Sequence, residues 1–400
     1  MDDEDSIGRR IAFYRTQRGL TQLALAQKAA VSLSLLRKIE QGSRDATPVL
    51  VAAVAKPLGV DVTVLNGQPY DREGPQRDRI HELIPAVRST LNYWDLPPEL
   101  ETAPRTAEQL MVDAVAIAHL RQADRNVQAL TQIPAVLLEI IAALHATEEP
   151  SQRARLFDAA TTVLHPTLSI LHATGYDDLA TITADRISWI GERWGNPLVT
   201  ALAAHTRTSS MLRYGTYDVG LRLTERARAA LEPDLANDAA LRMTGSLHLR
   251  STILAARAGD ASLAAEHIAE ASGIARRLPQ DTDHLWRNLA FGPTNTNFYD
   301  VAGAIELGDG PRALTLAEGL HIPAGFAPTR AAHHFMDLSR AYLWQARYDA
   351  SLACLRQARD LAPQQTRHHP TTREVTRMLV RAHRHANEPL ARFSAWMNAS

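Results

Sequence analysis

Gly19-Leu20-Thr21-Gln22-Leu23-Ala24-Leu25-Ala26, followed by Val31-Ser32-Leu33-Ser34 and Ile39-Glu40-Gln41-Gly42, reads as two short helices joined by a tight turn. Thr21 and Ser32 each stand just ahead of an apolar run, where a hydroxyl accepts a backbone N–H left unpaired in the first helical turn. The first helix of the pair spans Gln22 to Ala29, with Leu23, Leu25 and Ala26 as its expected buried side chains. The second runs from Leu33 to Gln41 and stops at Gly42, a residue that tolerates the left-handed backbone past a helix end. Working outward, Ile7 to Arg18 forms a preceding helix closed by Gly19. Thr47-Pro48 is a capping residue followed by proline at the first helical position, which opens a fourth helix through about Leu58. A short fifth helix ends near Leu65-Asn66-Gly67.

The charge of this segment differs from that of the rest. The chain carries 43 Lys+Arg against 44 Asp+Glu. From Ser6 to Tyr70, however, nine basic side chains face three acidic ones, and the only lysines of the chain (Lys28, Lys38, Lys56) lie there. A compact segment with that excess suits a phosphate backbone, and the remainder is net acidic.

These motifs, with Pro48 and Leu58-Gly59-Val60, resemble the Xre/Cro-type helix-turn-helix of phage repressors and bacterial regulators over about 60 residues. One departure is Ala30, at a turn position often held by glycine. The resemblance implies a five-helix, lambda-repressor-like domain whose second motif helix enters the major groove with its N-terminal residues toward base edges. Ser32, Leu33, Ser34, Arg37 and Lys38 are then the DNA-facing residues. Arg37 and Lys38 can donate to guanine or to phosphate, Ser34 can bond either polarity, and Leu33 either touches a thymine methyl or packs inward. The resemblance further implies that Gln22 holds a phosphate and buttresses the reading helix, and that Arg15 and Glu40 form a structural ion pair. A single head of this kind covers one half-site, so a homodimer on a palindromic operator is expected.

Beyond the head, the chain is a succession of Ala/Leu/Arg-rich helical blocks with few strand signals. Residues 71–105 read as a connector in which Gln76 to Asn92 forms one amphipathic helix, with Ile80, Leu83, Ile84, Val87 and Leu91 on one stripe. Within 106–400 the clearest repeat is Ala332 to Gln365. It has Leu338, Ser339 and Tyr342 on a first helix, a turn at Ala346-Arg347-Tyr348, and Ala358 on a second. Similar hinges occur at Gly175, Gly215, Gly259 and Gly308, spaced 40, 44 and 49 residues apart. This pattern is similar to degenerate tetratricopeptide units, giving an all-α chain: residues 1–70 as the DNA-binding head, 71–105 as connector, 106–400 as a tetratricopeptide-like α-solenoid. The whole arrangement resembles actinobacterial Xre-type regulators with such a C-terminal region. That resemblance rests on Phe291-Gly292-Pro293-Thr294-Asn295, Ala341-Tyr342 and Leu361-Ala362-Pro363 with His369-Pro370. More distantly, it looks like the peptide-pheromone regulators of Gram-positive bacteria.

A solenoid lines its concave face with the first helix of each unit. The repeat frame puts Thr162, His165, Ser169 and His172 inward, then His205, Ser209 and Arg213, then Asn295 and Phe298, then His333, Met336 and Arg340. Polar groups recurring there suit a small molecule or a short peptide, unless they line a hydrated groove, and Asn295 either bonds the ligand or caps its helix. His333-His334 and His368-His369 lack a completing ligand at metal spacing, so neither a metal nor a cofactor is expected. Trp189 and Trp194 are expected to be core. One cysteine, an acidic N-terminus and no uninterrupted apolar run of membrane-spanning length suggest a cytoplasmic, nucleoid-associated protein. Without a phosphate-binding glycine loop, a nucleophile elbow or a metal quartet, an enzyme is not expected. Two functions remain: a ligand-responsive regulator, which requires a pocket of convergent polar groups, and a protein-interaction regulator, which requires an open groove.

Overall fold

The five head helices begin where their capping side chains stand, as seen in the computed structural model, which describes residues 6–69, 79–94, 96–278, 284–286, 289–382 and 388–397. They are α1 (Ile7–Gln17), α2 (Gln22–Lys28), α3 (Leu33–Glu40), α4 (Pro48–Leu58) and α5 (Val62–Asn66). The hydroxyls of Thr21, Ser32 and Thr47 accept the N–H groups of Ala24, Leu35 and Leu50 at 3.1, 3.1 and 3.4 Å. The head core is wholly aliphatic, built on Ile11, Leu25, Leu36, Ile39, Val54, Leu58 and Leu65. Leu23 departs from the expected pattern, being 51% exposed. Two residues before Leu25 on a helix, its side chain points about 200° away from it and so away from the core. Ala30 takes the left-handed backbone (φ 53°) that its place in the turn demands.

The rest of the molecule stacks antiparallel helix pairs. They are α7 (Ala107–Gln122) with α8 (Asn126–Ala146), α9 (Pro150–Thr174) with α10 (Asp177–Trp194), and α11 (Pro197–Tyr214) with α12 (Tyr217–Leu231). Next come α13 (Asp238–Arg257) with α14 (Ala261–Arg277), α15 (Pro293–Glu306) with α16 (Gly310–Ala317), and α17 (Pro328–Trp344) with α18 (Tyr348–Leu361). The last helices are α19 (Pro363–His368), α20 (Pro370–Ala382) and α21 (Glu388–Trp396). Each hairpin turns on one residue with positive φ: Asp124, Gly175, Gly215, Gly259, Gly308 and Ala346. Small residues let the paired helices approach, with Ala180, Ala271, Ala313 and Ala358 fully buried. The all-α architecture, a five-helix head followed by a tetratricopeptide-like solenoid, is therefore the fold.

Three features were not anticipated. First, α6 (Arg79–Leu91), expected within a connector, lies against α8, with Ile80, Ile84, Val87 and Leu91 in the same core as the solenoid's first pairs. Secondly, α8 is long and apolar enough to cross a membrane by composition alone, yet Ile133, Leu137 and Ile140 are fully buried in that core. Thirdly, a hairpin of β1 (His284–Trp286) and β2 (Leu289–Phe291) interrupts the helices, pairing antiparallel. Phe291 anchors it against Gly245 on α13, where a Cβ would meet the ring at 2.0 Å. Trp189 packs edge-on against Trp94 and Phe157, and Trp194 also lies against Phe157.

Candidate DNA interface and ligand cavity

Helix α3 is held by a chain of polar contacts that starts in the core and ends at the surface. Arg15 Nε and Nη2 donate to the two carboxylate oxygens of Glu40 at 2.7 and 2.9 Å, and its Nη1 donates to the Leu20 carbonyl at 2.9 Å. This bidentate geometry fixes both partners and raises the affinity of the guanidinium for its proton through the Glu40 hydrogen bond. Gln22 Nε2 donates to the same Glu40 at 2.8 Å, while its Oε1 lies 3.4 Å from Arg37 Nε. Thus Gln22 is tied to the ion pair on one side and steadies Arg37 on the other. Ser32, Ser34, Arg37 and Lys38 are exposed along one edge of α3. Ser32 caps the helix, and Leu33 is half-buried against the head core, the packing alternative for that residue.

The solenoid does not cover this edge. It grips the head at the α3–α4 loop and around α5 instead. Trp344 Nε1 donates to both oxygens of Asp45 at 3.2 Å, and the Ala46 N–H donates to Glu374 at 3.2 Å. Tyr214 Oη donates to Asp61 at 3.0 Å, and Arg213 Nη1 donates to Gln68 at 3.1 Å.

Behind this grip lie two adjoining cavities. One, of about 400 Å³, is lined by α7, α9, α11, α13, α15, α17, α19, α20 and the β2 strand. The other, of about 200 Å³, lies between solenoid and head, with Ile7, Ala46, Val51 and Val62 forming its roof. Arg213, Arg257, Glu306, His333, Asp337 and His369 line both. Glu306 accepts from Arg257 Nε and Arg340 Nη1, each at 3.0 Å. Burial alone would raise its pKa; the two guanidiniums outweigh it and hold the carboxyl at about 2. Asp337 has no such clamp, and burial pushes it up to about 7. His333 is driven down to about 3 by burial and by Arg330, and His205 and His369 also fall well below the ordinary histidine range, so these rings are neutral.

The expected inward residues divide. His165, Ser169, His172, His205, Arg213, Asn295 and His333 line the larger cavity, and Ser209 and Arg340 line the one under the head. Asn295 does so with its amide engaged: Nδ2 donates to the Ala290 carbonyl at 2.6 Å, and Oδ1 accepts from Arg330 at 2.9 Å. It fixes the hairpin and a wall arginine, and it is not the cap of α15, which begins after Gly292 with no side-chain cap. Phe298, Met336 and Thr162 are corrections, since none of them lines either cavity. Phe298 stacks on His334 with centroids 4.0 Å apart, and Met336 is fully buried beside Ala358 and Ala362. Thr162 turns its hydroxyl back to the Asp158 carbonyl. On each helix these side chains fall on the side packed against a neighbouring helix. The reading missed Arg121, Arg250, Arg257, Glu306, Arg330 and Asp337. They sit one or two turns along the same helix faces, or on helices whose repeat frame was not resolved. No group of three or more potential metal ligands occurs among the described residues.

Residues 6–66 match the family model described as a helix-turn-helix domain. The head is a helix-turn-helix domain. No curated protein matches the chain. Among solved structures, it is similar to Bacillus thuringiensis PlcR in complex with the peptide PapR7 and DNA. That match has 11% identity over 68% of this chain and 95% of the other, with a TM-score of 0.24. An overlap that low carries no weight here, and the solenoid assignment rests on the helix pairs themselves. The helix-turn-helix head gives the chain a DNA-binding function.

Proposed function

We propose that this chain is a transcriptional regulator whose operator binding responds to a small molecule or short peptide held between solenoid and head. Arg37, Lys38 and Ser34 read base edges, Gln22 and Ser32 position the head on phosphate, and Arg15 with Glu40 keeps α3 in place. Two heads on a homodimer would read a palindromic operator, because one α3 spans only a half-site.

The observation that carries the ligand-responsive reading is the placement of two cavity-wall arginines. Arg213 bonds Gln68 beside the head, and Arg340 stacks over Trp344 (5.1 Å), whose indole N–H bonds Asp45 in the head. A ligand that moved either guanidinium would alter a head contact directly. It shifts DNA affinity only to the extent that it binds the gripped and released arrangements differently. Convergence of charged and polar groups from several helices on one cavity favours this reading over an extended protein-binding groove.

The test is genome-wide mapping of binding sites, followed by gel-shift on the best site with wild type and Arg37→Ala. A two-fold site bound by wild type and lost or relaxed in the variant supports the regulator. Absence of any enriched site, with equal retardation by both proteins, would refute sequence-specific reading.

A further inference from the structure

The larger cavity has an imbalance that nothing in the fold resolves. Five of its lining residues are arginines, against two carboxylates. Of these arginines, Arg213 is 3.0 Å from Asp177, Arg257 is clamped to Glu306, and Arg330 bonds Asn295. Arg250, on α13, has no carboxylate in ion-pair range among the described residues. Its Nε is buried and makes no hydrogen bond, and its Nη2 is 3.4 Å from the Nε2 of His205. Burial lowers its pKa most; Tyr299 partly offsets this, while Arg330 and Arg257 repel it. Arg121, on another part of the wall, feels the attraction of Asp124 but is incompletely bonded. One nitrogen donates to Gln365 at 2.8 Å, while Nε and Nη1 are buried without partners.

A guanidinium held inside a cavity without an anion beside it is costly, and proteins seldom keep one unpaired. Arginine also matches the planar, two-oxygen edge of a carboxylate or phosphate better than any other side chain. We propose that the cavity binds a small ligand through an anionic group, carboxylate or phosphate, seated on Arg250 with His205 beside it. His205 is neutral there, which leaves it free to donate or accept one hydrogen bond to the same group. The inference rests on the ligand-responsive reading above and adds the charge of the ligand to it.

The experiment is thermal unfolding of the full chain at constant ionic strength with matched probes. These are dicarboxylates of four to ten carbons, their diamides, inorganic phosphate, and trialanine with a free or an amidated C-terminus. At least one anionic probe should raise the unfolding temperature by about 1–3 °C in a concentration-dependent way, with its neutral counterpart inert. A response confined to dicarboxylates or phosphate identifies a free acid, and one confined to free-terminus trialanine identifies a peptide end. Arg250→Gln should abolish the shift and leave the ligand-free unfolding temperature at or above wild type, whereas Arg222→Gln, on the exposed face of α12, should retain the shift. A fall of several degrees in unliganded Arg250→Gln would show that Arg250 serves the fold and overturn the proposal. Equal shifts from diamides and acids would overturn the anionic site while leaving a ligand cavity. No shift from any probe would overturn both.

Discussion

In the head, Arg15, Glu40, Gln22 and Arg37 satisfy one another across the edge of an aliphatic core. Inside the solenoid, guanidiniums, imidazoles and carboxylates line a cavity, and several of their nitrogens have no partner within the protein. The head's polar chain points outward to a surface that is already formed. The solenoid's polar groups converge on a cavity. The first arrangement positions residues for a partner of fixed shape, such as the DNA groove. The second leaves part of the binding chemistry to a ligand, and so can be altered by one.

The contrast is tested most severely at Glu306, the one cavity carboxylate fully engaged by the protein. Glu306→Ala would leave Arg257 and Arg340 as uncompensated buried cations, and should cost about 3–5 kcal/mol in urea unfolding. The sign of its pH dependence follows from its depressed pKa. The unfolded carboxyl titrates near 4.5 and the folded one near 2, so its stabilisation is complete above about pH 4.5 and disappears as pH falls through 2. The variant should lack that acid limb. If Glu306→Ala is as stable as wild type at pH 7, the cavity wall is not a clamped network.

On the head, Arg37→Ala should weaken binding to the specific site by about 1–3 kcal/mol, and relax selectivity at one base position. Lys38→Ala should separate the alternatives for that residue. Uniform weakening across sequences, with a shallower salt dependence, marks a phosphate contact. Neither change should alter thermal stability, since both side chains are exposed. A large loss of stability in Arg37→Ala would mean that its contact with Gln22 supports the fold.

A pH dependence of opposite sign is expected at Asp337. Its folded pKa of about 7 exceeds the ordinary 3.8, so from pH 4 to 7 the folded chain keeps a proton that the unfolded chain releases. Wild type therefore loses stability as pH rises through that window. The groups around it are His333, Arg340, Glu306, Arg330 and Arg257. Asp337→Asn should remove the slope, gaining stability over wild type at pH 8 and nothing below pH 4. Equal slopes in the two proteins would show that the carboxylate ionises freely in the folded state.

The two regions also differ in how far their sequence could be read. The head is a set of local signals: Thr21, Ser32 and Thr47 mark helix starts, and Gly42 marks an end, each acting within four residues. The solenoid hinges at Gly175, Gly215, Gly259 and Gly308 were legible for the same reason. Asp124 was not, because an aspartate in the left-handed region carries no glycine signature. The cavity was legible only in part. His205, Arg213 and His333 follow from the repeat frame, but the clamp of Arg257 and Arg340 on Glu306 joins three helices. Which side of α15 or α17 faces the cavity depends on packing that no local pattern encodes, and Phe298 and Met336 fell on the wrong side accordingly.

The smallest effect probes both regions with one substitution. Ala30 and Ala346 occupy equivalent turns, each with φ near 55°. In both, the alanine N–H bonds the carbonyl three residues back, and the next N–H bonds the one five back (Ala30 to Gln27 and Val31 to Ala26; Ala346 to Leu343 and Arg347 to Tyr342). This is the geometry that glycine provides at Gly259 and Gly308. A non-glycine residue there costs about 1–2 kcal/mol of backbone strain. Glycine relieves it but makes the unfolded chain more flexible by roughly 0.5–1 kcal/mol. Ala30→Gly and Ala346→Gly should therefore each stabilise the protein by about 0.5–1 kcal/mol. If the head and solenoid unfold as one unit through their grip, the two variants should shift the same denaturant midpoint equally. If they unfold separately, Ala30→Gly should move only the head's transition and Ala346→Gly only the solenoid's. Differential scanning calorimetry of the two variants thus tells whether the contacts at Asp45, Asp61 and Gln68 bind the regions into one cooperative body. A ligand in the cavity can act on DNA affinity through the grip only if they do.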